Sequence, residues 1–311
     1  MLILPMTARN LLYLLVLAAL WGASFLFIRI GVAEFGVTPL MALRVSIGAV
    51  FLATLLVAQK GLAGAWHSAR RQWWPLFVVG VLNSAVPFCL FAYAELTLSA
   101  GLTSVINATT PLWGALVAFV WLGDRLSSMR TAGLALGFAG VVLLVWDQIT
   151  APVGASGTPV PATTTALAAG AALGATALYG VAANYTKQYL SGVDPLTVAC
   201  GSMVGASIAL LPLAAWCWPT AQVSTHAWLA VLALGVACTG IAYRLYFHLL
   251  ATAGPARAMT VTFVVPVFGI LWGALFLAES VSMRMIEGCG VVLIGTALAA
   301  GFIKRLRAQA S

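Results

Sequence analysis

Negative charge is what this chain has least of. Its 311 residues hold seven Asp and Glu against fifteen Lys and Arg, and only 7% of positions are charged. A soluble domain carries about 25% charged residues, so an ordinary water-facing surface is excluded. The seven acids (Glu34, Glu95, Asp124, Asp147, Asp194, Glu279 and Glu287) all fall at or near the ends of apolar runs. A proton-driven extruder of cationic compounds is expected to carry an acid in mid-membrane, and that class is disfavoured. Cysteine is sparse and unpatterned: Cys89, Cys200, Cys217, Cys238 and Cys289 form no CxxC and no Cys/His cluster. They read as small hydrophobes, so neither a disulfide framework nor a metal site is expected, and no cofactor is implied. His67, His226 and His248 lie at or near run ends with no relay spacing. No HExxH and no paired intramembrane acids occur, and Gly22-Ala23-Ser24-Phe25 lacks the final glycine of an intramembrane serine-protease motif. An enzyme is therefore disfavoured. A channel is disfavoured too, because no carbonyl filter sequence and no ring of charge is present. No small-residue cleavage site follows Arg9 at the proper distance, so the first apolar run reads as an uncleaved span rather than a removed signal peptide.

What is abundant is apolar length. Hydrophobic residues make up 62% of the chain, with a mean hydropathy of +1.05. A bilayer span needs about 20 apolar residues, and the pattern divides into ten: 11–32, 38–58, 73–94, 98–122, 129–147, 164–187, 195–216, 226–250, 255–278 and 284–303. The expected class is an all-α integral membrane protein. The segment from Asp147 to Thr165 is rich in Pro, Gly, Thr and Ala and reads as a linker between two sets of five. Trp73, Trp74, Trp146, Trp216 and Trp218 at span ends read as interface anchors.

The two sets are copies. Thr110-Pro111-Leu112-Trp113-Gly114, running on to Leu122-Gly123-Asp124, returns 155 positions later (266 − 111) as Val265-Pro266-Val267-Phe268-Gly269, running on to Leu277-Ala278-Glu279. At that one offset Pro111/Pro266, Gly114/Gly269, Leu122/Leu277, Ser127/Ser282, Gly133/Gly288 and Gly140/Gly295 are identical. Trp73 and Gly80 match Trp228 and Gly235 at the same offset. Pro39 matches Pro195, and Trp21-Gly22 falls opposite Tyr179-Gly180, at slightly drifting offsets. Five spans per copy force the copies into opposite orientations. Basic residues agree: Lys60, Arg70 and Arg71 lie between spans two and three, and none lies in the counterpart from Trp218 to Thr225. With the N-terminus inside, Arg9, Arg125, Arg130, Lys187, Arg257, Lys304, Arg305 and Arg307 also lie on or near the cytoplasmic side, whereas Arg284 lies outside. The positive-inside rule then predicts an inverted repeat with both termini cytoplasmic, and it accounts for the net charge of +8 without nucleic acid.

Trp21-Gly22-Ala23-Ser24-Phe25, Arg44, and the Pro111…Leu122-Gly123-Asp124-Arg125 and Pro266…Leu277-Ala278-Glu279-Ser280 endings resemble the two EamA-type repeats of the drug/metabolite transporter superfamily. The resemblance covers nearly the whole chain, and within the superfamily it is nearest to bacterial exporters of aromatic and other neutral amino acids. It implies ten helices as two inverted five-helix repeats around a central cavity, and export across the inner membrane by alternating access. On this reading residues 1–147 and 164–303 are the repeats, 148–163 the linker and 304–311 a basic cytoplasmic tail. The expected partners are a small amino acid or metabolite and the bilayer, with the chain a monomer or weak homodimer. Export of other metabolites or drugs is the alternative.

Mid-helix proline removes a hydrogen bond and clashes with the carbonyl four residues back. Pro87, Pro111 and Pro266 are therefore candidate hinges or helix breaks facing a wet cavity, with a structural kink as the competing reading. Ser104, Asn107 and Pro111 share one face of span four, as Met259, Thr262 and Pro266 do on span nine. Asn107 and Thr262 are candidate cavity groups, against interhelical hydrogen bonding. Trp21, Ser24, Asn83, Tyr179, Tyr243 and Phe247 complete the candidate binding set, tyrosine ranking above phenylalanine because its hydroxyl needs a partner in a dry site. Arg244 is a candidate carboxylate attractor, and Arg29 and Arg44 read as snorkelling or as placed against Glu34. Asp124 and Glu279 read as caps of the helices that follow them. Glycine pairs at four-residue spacing, such as Gly133/Gly137 and Gly269/Gly273, are assigned to internal seams. Proton coupling and facilitated export both remain open.

Overall fold

The computed structural model describes residues 7–150 and 160–301, so most of the linker and the basic tail at 304–311 lie outside the described residues. Every regular element among the described residues is helical. Eight helices are long and apolar enough to cross a membrane: α1 (Ala8–Phe35), α2 (Val37–Arg71), α3 (Trp73–Ala94), α4 (Ala100–Leu122), α5 (Ser128–Thr150), α6 (Ala162–Tyr189), α7 (Pro195–Trp216) and α8 (Thr225–Ala253). A single turn, Pro255–Ala258, then leads into α9 (Val261–Leu277), and α10 (Met283–Ala299) is the last described helix. These last two have 17 residues each, about 25 Å of helix.

Local chemistry sets the helix ends. Ser99, Ser224 and Ser282 hydroxyls accept from the N–H groups of Leu102, Ala227 and Met285 at 3.1, 3.2 and 3.1 Å. Asp194 does the same for Thr197 at 3.1 Å, with Pro195 in the first turn. The loop expected between spans two and three is instead helical. Gly61 turns the chain at φ 70°, and the second piece of α2 runs on to Arg71 in a new direction with Trp66 exposed.

Besides α2, three of the described helices carry internal irregularities. In α3, Val81–Ala85 forms a widened π turn, and Val236–Ile241 does so in α8, the two starting at equivalent positions of the sequence copies (236 − 81 = 155). In α3 the widening precedes Pro87, whose ring would otherwise press on the Asn83 carbonyl. The α8 counterpart has no proline; there the Thr239 hydroxyl donates to the Leu234 carbonyl at 2.8 Å. In α4 the helix is interrupted at Ala108–Thr109, immediately before Pro111. Pro266, by contrast, lies inside α9, and the comparable interruption falls earlier, at Met259–Thr260. The repeated prolines thus do not mark the same backbone feature. The α9 turn is held open by left-handed Gly254 and by the Thr260 hydroxyl on the Arg257 carbonyl at 2.6 Å.

Packing follows the sequence copies. Gly22 of α1 meets α9 so closely that a Cβ would lie 2.6 Å from Phe268 Cβ and 2.9 Å from Gly269 N. Gly180 of α6 meets α4 in the same way, at 2.7 Å from the Trp113 carbonyl carbon and 2.8 Å from Gly114 N. The α5 and α10 helices cross where Gly133 and Gly137 face Gly295. Such small-residue contacts are how membrane helices gain dispersion energy without a hydrophobic drive between them. Side-chain ties join helix ends in two sets. Lys60 pairs with Asp194 at 3.0 Å, Lys187 with Asp124 at 3.8 Å, and Thr252 with Asn10 at 3.3 Å at one end. At the other, the Glu34 carboxylate accepts from Ser224 N and Oγ at 2.7 Å each, and Glu279 accepts from Ala100 N and Gly101 N at 2.7 and 3.1 Å. Glu279 therefore caps α4 across the chain, not the helix that follows it; Ser282 occupies that position. Asp124 likewise faces Lys187, and Ser127 accepts from Arg130 N at 3.4 Å.

Replacing Gly22 or Gly180 with leucine is expected to destabilise the protein by about 1–3 kcal/mol or more, read as a lowered unfolding midpoint in detergent. Gly170, which has open space around it, serves as the control, with Gly170→Ala leaving the midpoint unchanged or raising it by up to about 1 kcal/mol of helix propensity. Equal midpoints for all three variants would contradict the seam.

Candidate functional site

A cavity of about 530 Å³ lies between the two copies, walled by residues of α1, α2, α3 and α4 on one side and α6, α7, α8 and α9 on the other. That volume suits a small ligand. The wall continues to Leu190, Val193 and Pro195 at the end of the molecule that carries Lys60 and Lys187, and in the opposite direction it reaches Ile28, Arg44 and Phe91. Two aromatic chains line it. Trp21 packs on Tyr246 at 5.4 Å between ring centroids, and Tyr246 on Phe247 at 6.1 Å, with Tyr243 5.7 Å from Phe247. Phe25 packs edge-on to Phe91 at 5.9 Å, and Phe91 on Tyr179 at 5.8 Å.

Of the residues singled out from sequence, Trp21, Ser24, Asn83, Asn107, Tyr179, Tyr243, Phe247 and Thr262 all line this cavity. Arg244 does not. Residues three and four apart share a helix face, so Tyr243, Tyr246 and Phe247 point inward together while Arg244 turns outward. It is exposed and borders a recess of about 560 Å³ with Asp194 and His248, which adjoins the cavity at Pro195 and Phe247. Pro87, Pro111 and Pro266 stand behind the wall rather than in it. The Asn107 carbonyl, four residues before Pro111, accepts from the Thr110 hydroxyl at 2.8 Å. The Ala108 carbonyl at the same interruption accepts from Thr296 of α10 at 3.2 Å. Both carbonyls are thus already engaged by hydroxyls of the protein. Among the described residues no cluster of His, Cys, Asp and Glu could hold a metal ion, and the five cysteines are free thiols.

The EamA-like transporter family model matches the chain twice, over residues 9–146 and 166–301. This chain belongs to the EamA-like transporter family. It is 25% identical to an uncharacterised transporter of Bacillus subtilis over 302 residues, covering 95% of this chain and 92% of that protein. It is also 25% identical to a probable terminal-alkyne amino-acid exporter of Streptantibioticus cattleyicolor, covering 83% of this chain and 82% of that one. A solved crystal structure aligns with a TM-score of 0.65 at 21% identity, over 96% of this chain and 99% of the other. The chain is a multi-pass membrane transporter, and this favours transport over an enzymatic reaction.

Two charged groups of the transporter occupy places that sequence did not assign. Arg44, expected to snorkel or to sit against Glu34, is only 6% exposed and lines the cavity, while Glu34 is tied to Ser224. Its Nε donates to Thr239 Oγ1 at 3.3 Å, and its guanidinium carbon lies 3.9 Å from the centroid of the Phe88 ring. The only sequence signal was an ionisable residue inside a predicted span; its counterpart Thr239 lies 195 residues away. Glu95 follows the last residue of α3 and was read as a span-end acid. It is 0% exposed, and neither carboxylate oxygen has a hydrogen-bond partner among the described residues. Arg29 binds the Glu95 backbone carbonyl rather than its carboxylate. Burial pushes the Glu95 carboxyl well above the usual carboxylate range, and the Glu279 carboxylate adds to the shift while Arg29 and Arg44 oppose it.

A carboxyl raised in the folded state keeps its proton where the unfolded chain has lost it. Its contribution to stability is present below the unfolded value of about 4.3 and is lost as pH rises through the folded value. Glu95→Gln, which mimics the protonated form, is expected to flatten this decline and to raise the unfolding midpoint at pH 8 relative to the parent. Midpoints measured at pH 5 and pH 8 check it, and a Gln variant less stable at pH 8 would refute a neutral Glu95.

Proposed function

We propose that this transporter exports amino acids, aromatic and other neutral ones, or similar small amphipathic metabolites, across the inner membrane by alternating access. The observation that carries the proposal is the cavity: both sequence copies contribute to it, and its aromatic faces alternate with Asn83, Asn107, Tyr179 and Tyr243. Aromatic faces suit an apolar side chain, and the amide and hydroxyl groups suit a polar backbone. A relative named as a probable amino-acid exporter supports the substrate class.

On this reading the ten helical segments are all spans, arranged as two inverted five-helix repeats over 1–147 and 164–303. Supporting this are the equivalent glycine seams at Gly22 and Gly180, the equivalent π turns, and the two sets of end-to-end ties. Basic loop residues put both termini in the cytoplasm. The cavity then faces the cytoplasm, through the end bearing Leu190 and Pro195, while the Glu34–Ser224 and Glu279–Ala100 ties close the outer end. Export proceeds when those outer ties part and the inner end closes. The interruptions beside Pro111 and before Pro266 are where α4 and α9 flex.

Counterflow of labelled phenylalanine into proteoliposomes preloaded with unlabelled amino acid tests the proposal. Saturable exchange is expected, and unsaturable ion flux with no exchange would refute it. Asn83→Ala and Asn107→Ala each remove a cavity amide. The expected result is a rise of about 10- to 100-fold in KM, since losing a hydrogen bond to a charged group costs about 1.5–3 kcal/mol. Pro111→Ala and Pro266→Ala are expected to change the exchange rate more than protein abundance, and unchanged rates in both would remove the prolines from the mechanism.

A further inference from the structure

We infer that Arg44 is the anion anchor of the cavity and that the transporter selects its substrates by a carboxylate. This rests on the reading that the cavity is the transport site. Among the described residues Arg44 is the only formally charged one in the cavity wall; no described Asp, Glu, Lys or His lines it. The protein holds the guanidinium on two sides, by Thr239 on Nε and by the Phe88 ring beneath its face. Thr239 is itself fixed, because its hydroxyl proton goes to the Leu234 carbonyl across the π turn. Its oxygen is thus left as acceptor, which sets the rotation of the guanidinium. The two terminal nitrogens have no hydrogen-bond acceptor among the described residues, and Arg44 forms no ion pair. Glu95 forms no ion pair with it among the described residues.

A buried cation without a counter-ion is costly, and an arriving anion relieves that cost. A planar guanidinium matches a carboxylate in a two-point hydrogen-bonded fork. Tyr179 and Tyr243 line the same cavity as Arg44, and their hydroxyls are further hydrogen-bonding groups open to a ligand there. The cavity offers no equivalent for an ammonium group, which must rely on aromatic faces and the Asn83 or Asn107 amide oxygens. Recognition is therefore asymmetric: the carboxylate of an amino acid is required, and its amine is not.

The experiment measures inhibition of phenylalanine counterflow by three analogues that each lose one group. These are 3-phenylpropionate (no amine), phenylalaninamide (carboxylate neutralised) and phenethylamine (no carboxylate). In the parent protein, 3-phenylpropionate is expected to inhibit within about tenfold of phenylalanine. The amide and the amine are expected to be weaker by about 10- to 100-fold, as for loss of a charge-assisted hydrogen bond. Arg44→Gln should erase the difference between phenylpropionate and the amide, and Arg44→Lys should keep part of it. Equal inhibition by phenylpropionate and phenylalaninamide in the parent overturns the inference while leaving amino-acid transport standing. Absence of phenylalanine counterflow instead defeats the proposed function. In that case, or if Arg44→Gln does not yield folded protein, titrating the tryptophan fluorescence of the purified parent with the acid and its amide decides the role of Arg44. Preference for the acid supports it, and no preference overturns it.

Discussion

Each structural feature around the cavity answers one constraint. In a hydrocarbon surround no water is available to a backbone carbonyl or amide that loses its helical partner. A transport cavity nevertheless needs irregular helices, because straight ones pack into a solid bundle. The transporter meets both demands with hydroxyl side chains placed at the irregularities. Thr110 serves Asn107, Thr296 serves Ala108, and Thr239 serves Leu234. Thr109 adds a bond to the Ile106 carbonyl at 2.7 Å. Threonine at these irregularities is thus committed to backbone repair, and the groups left for a ligand include the amides, the phenols, the unpartnered Ser24 hydroxyl and one guanidinium.

The glycine seams convert this local repair into a container. The Gly22 contact holds α1 against α9, and the Gly180 contact holds α6 against α4, so each copy lends a helix to the other. The cavity walls are consequently mixed, and any relative motion of the copies changes the shape of the cavity. Charge is distributed with the same economy. Glu34, Asp124, Asp194 and Glu279 cap or tie helix ends, and among the described residues the cavity wall carries a single positive charge.

Much of this was legible in the residues. The 155-residue recurrence around Pro111 and Pro266, the apolar runs and the loop charges pointed to a duplicated membrane transporter, and the family match over 9–146 and 166–301 agrees in family. Helical periodicity placed Asn83, Asn107, Tyr179 and Tyr243 on faces that meet at one cavity. Arg244 is singled out by its charge inside a span and is misplaced, since a residue one position from the cavity face points elsewhere. The π turns were invisible because widening a helix by one residue leaves no compositional mark when, as in α8, no proline accompanies it. Pro111 and Pro266 look equivalent in sequence, yet only Pro111 follows an interruption directly. A helix keeps or loses a turn according to what its neighbours offer the freed groups.

Composition, apolar period and internal recurrence by themselves determined that this chain is helical, membrane-embedded and built twice from one plan, because span length and side-chain periodicity are properties of one segment at a time. The tertiary structure alone decided the electrostatics. Arg44 in sequence is an arginine near a helix end, free to reach water; only the approach of α8, with Thr239, and the ring of Phe88 hold it in the cavity. Glu95 is a span-end acid until α1 and the Glu279 segment close over it. Whether a charge is solvated, neutralised or waiting for a ligand depends on which segments surround it, and no single segment carries that information.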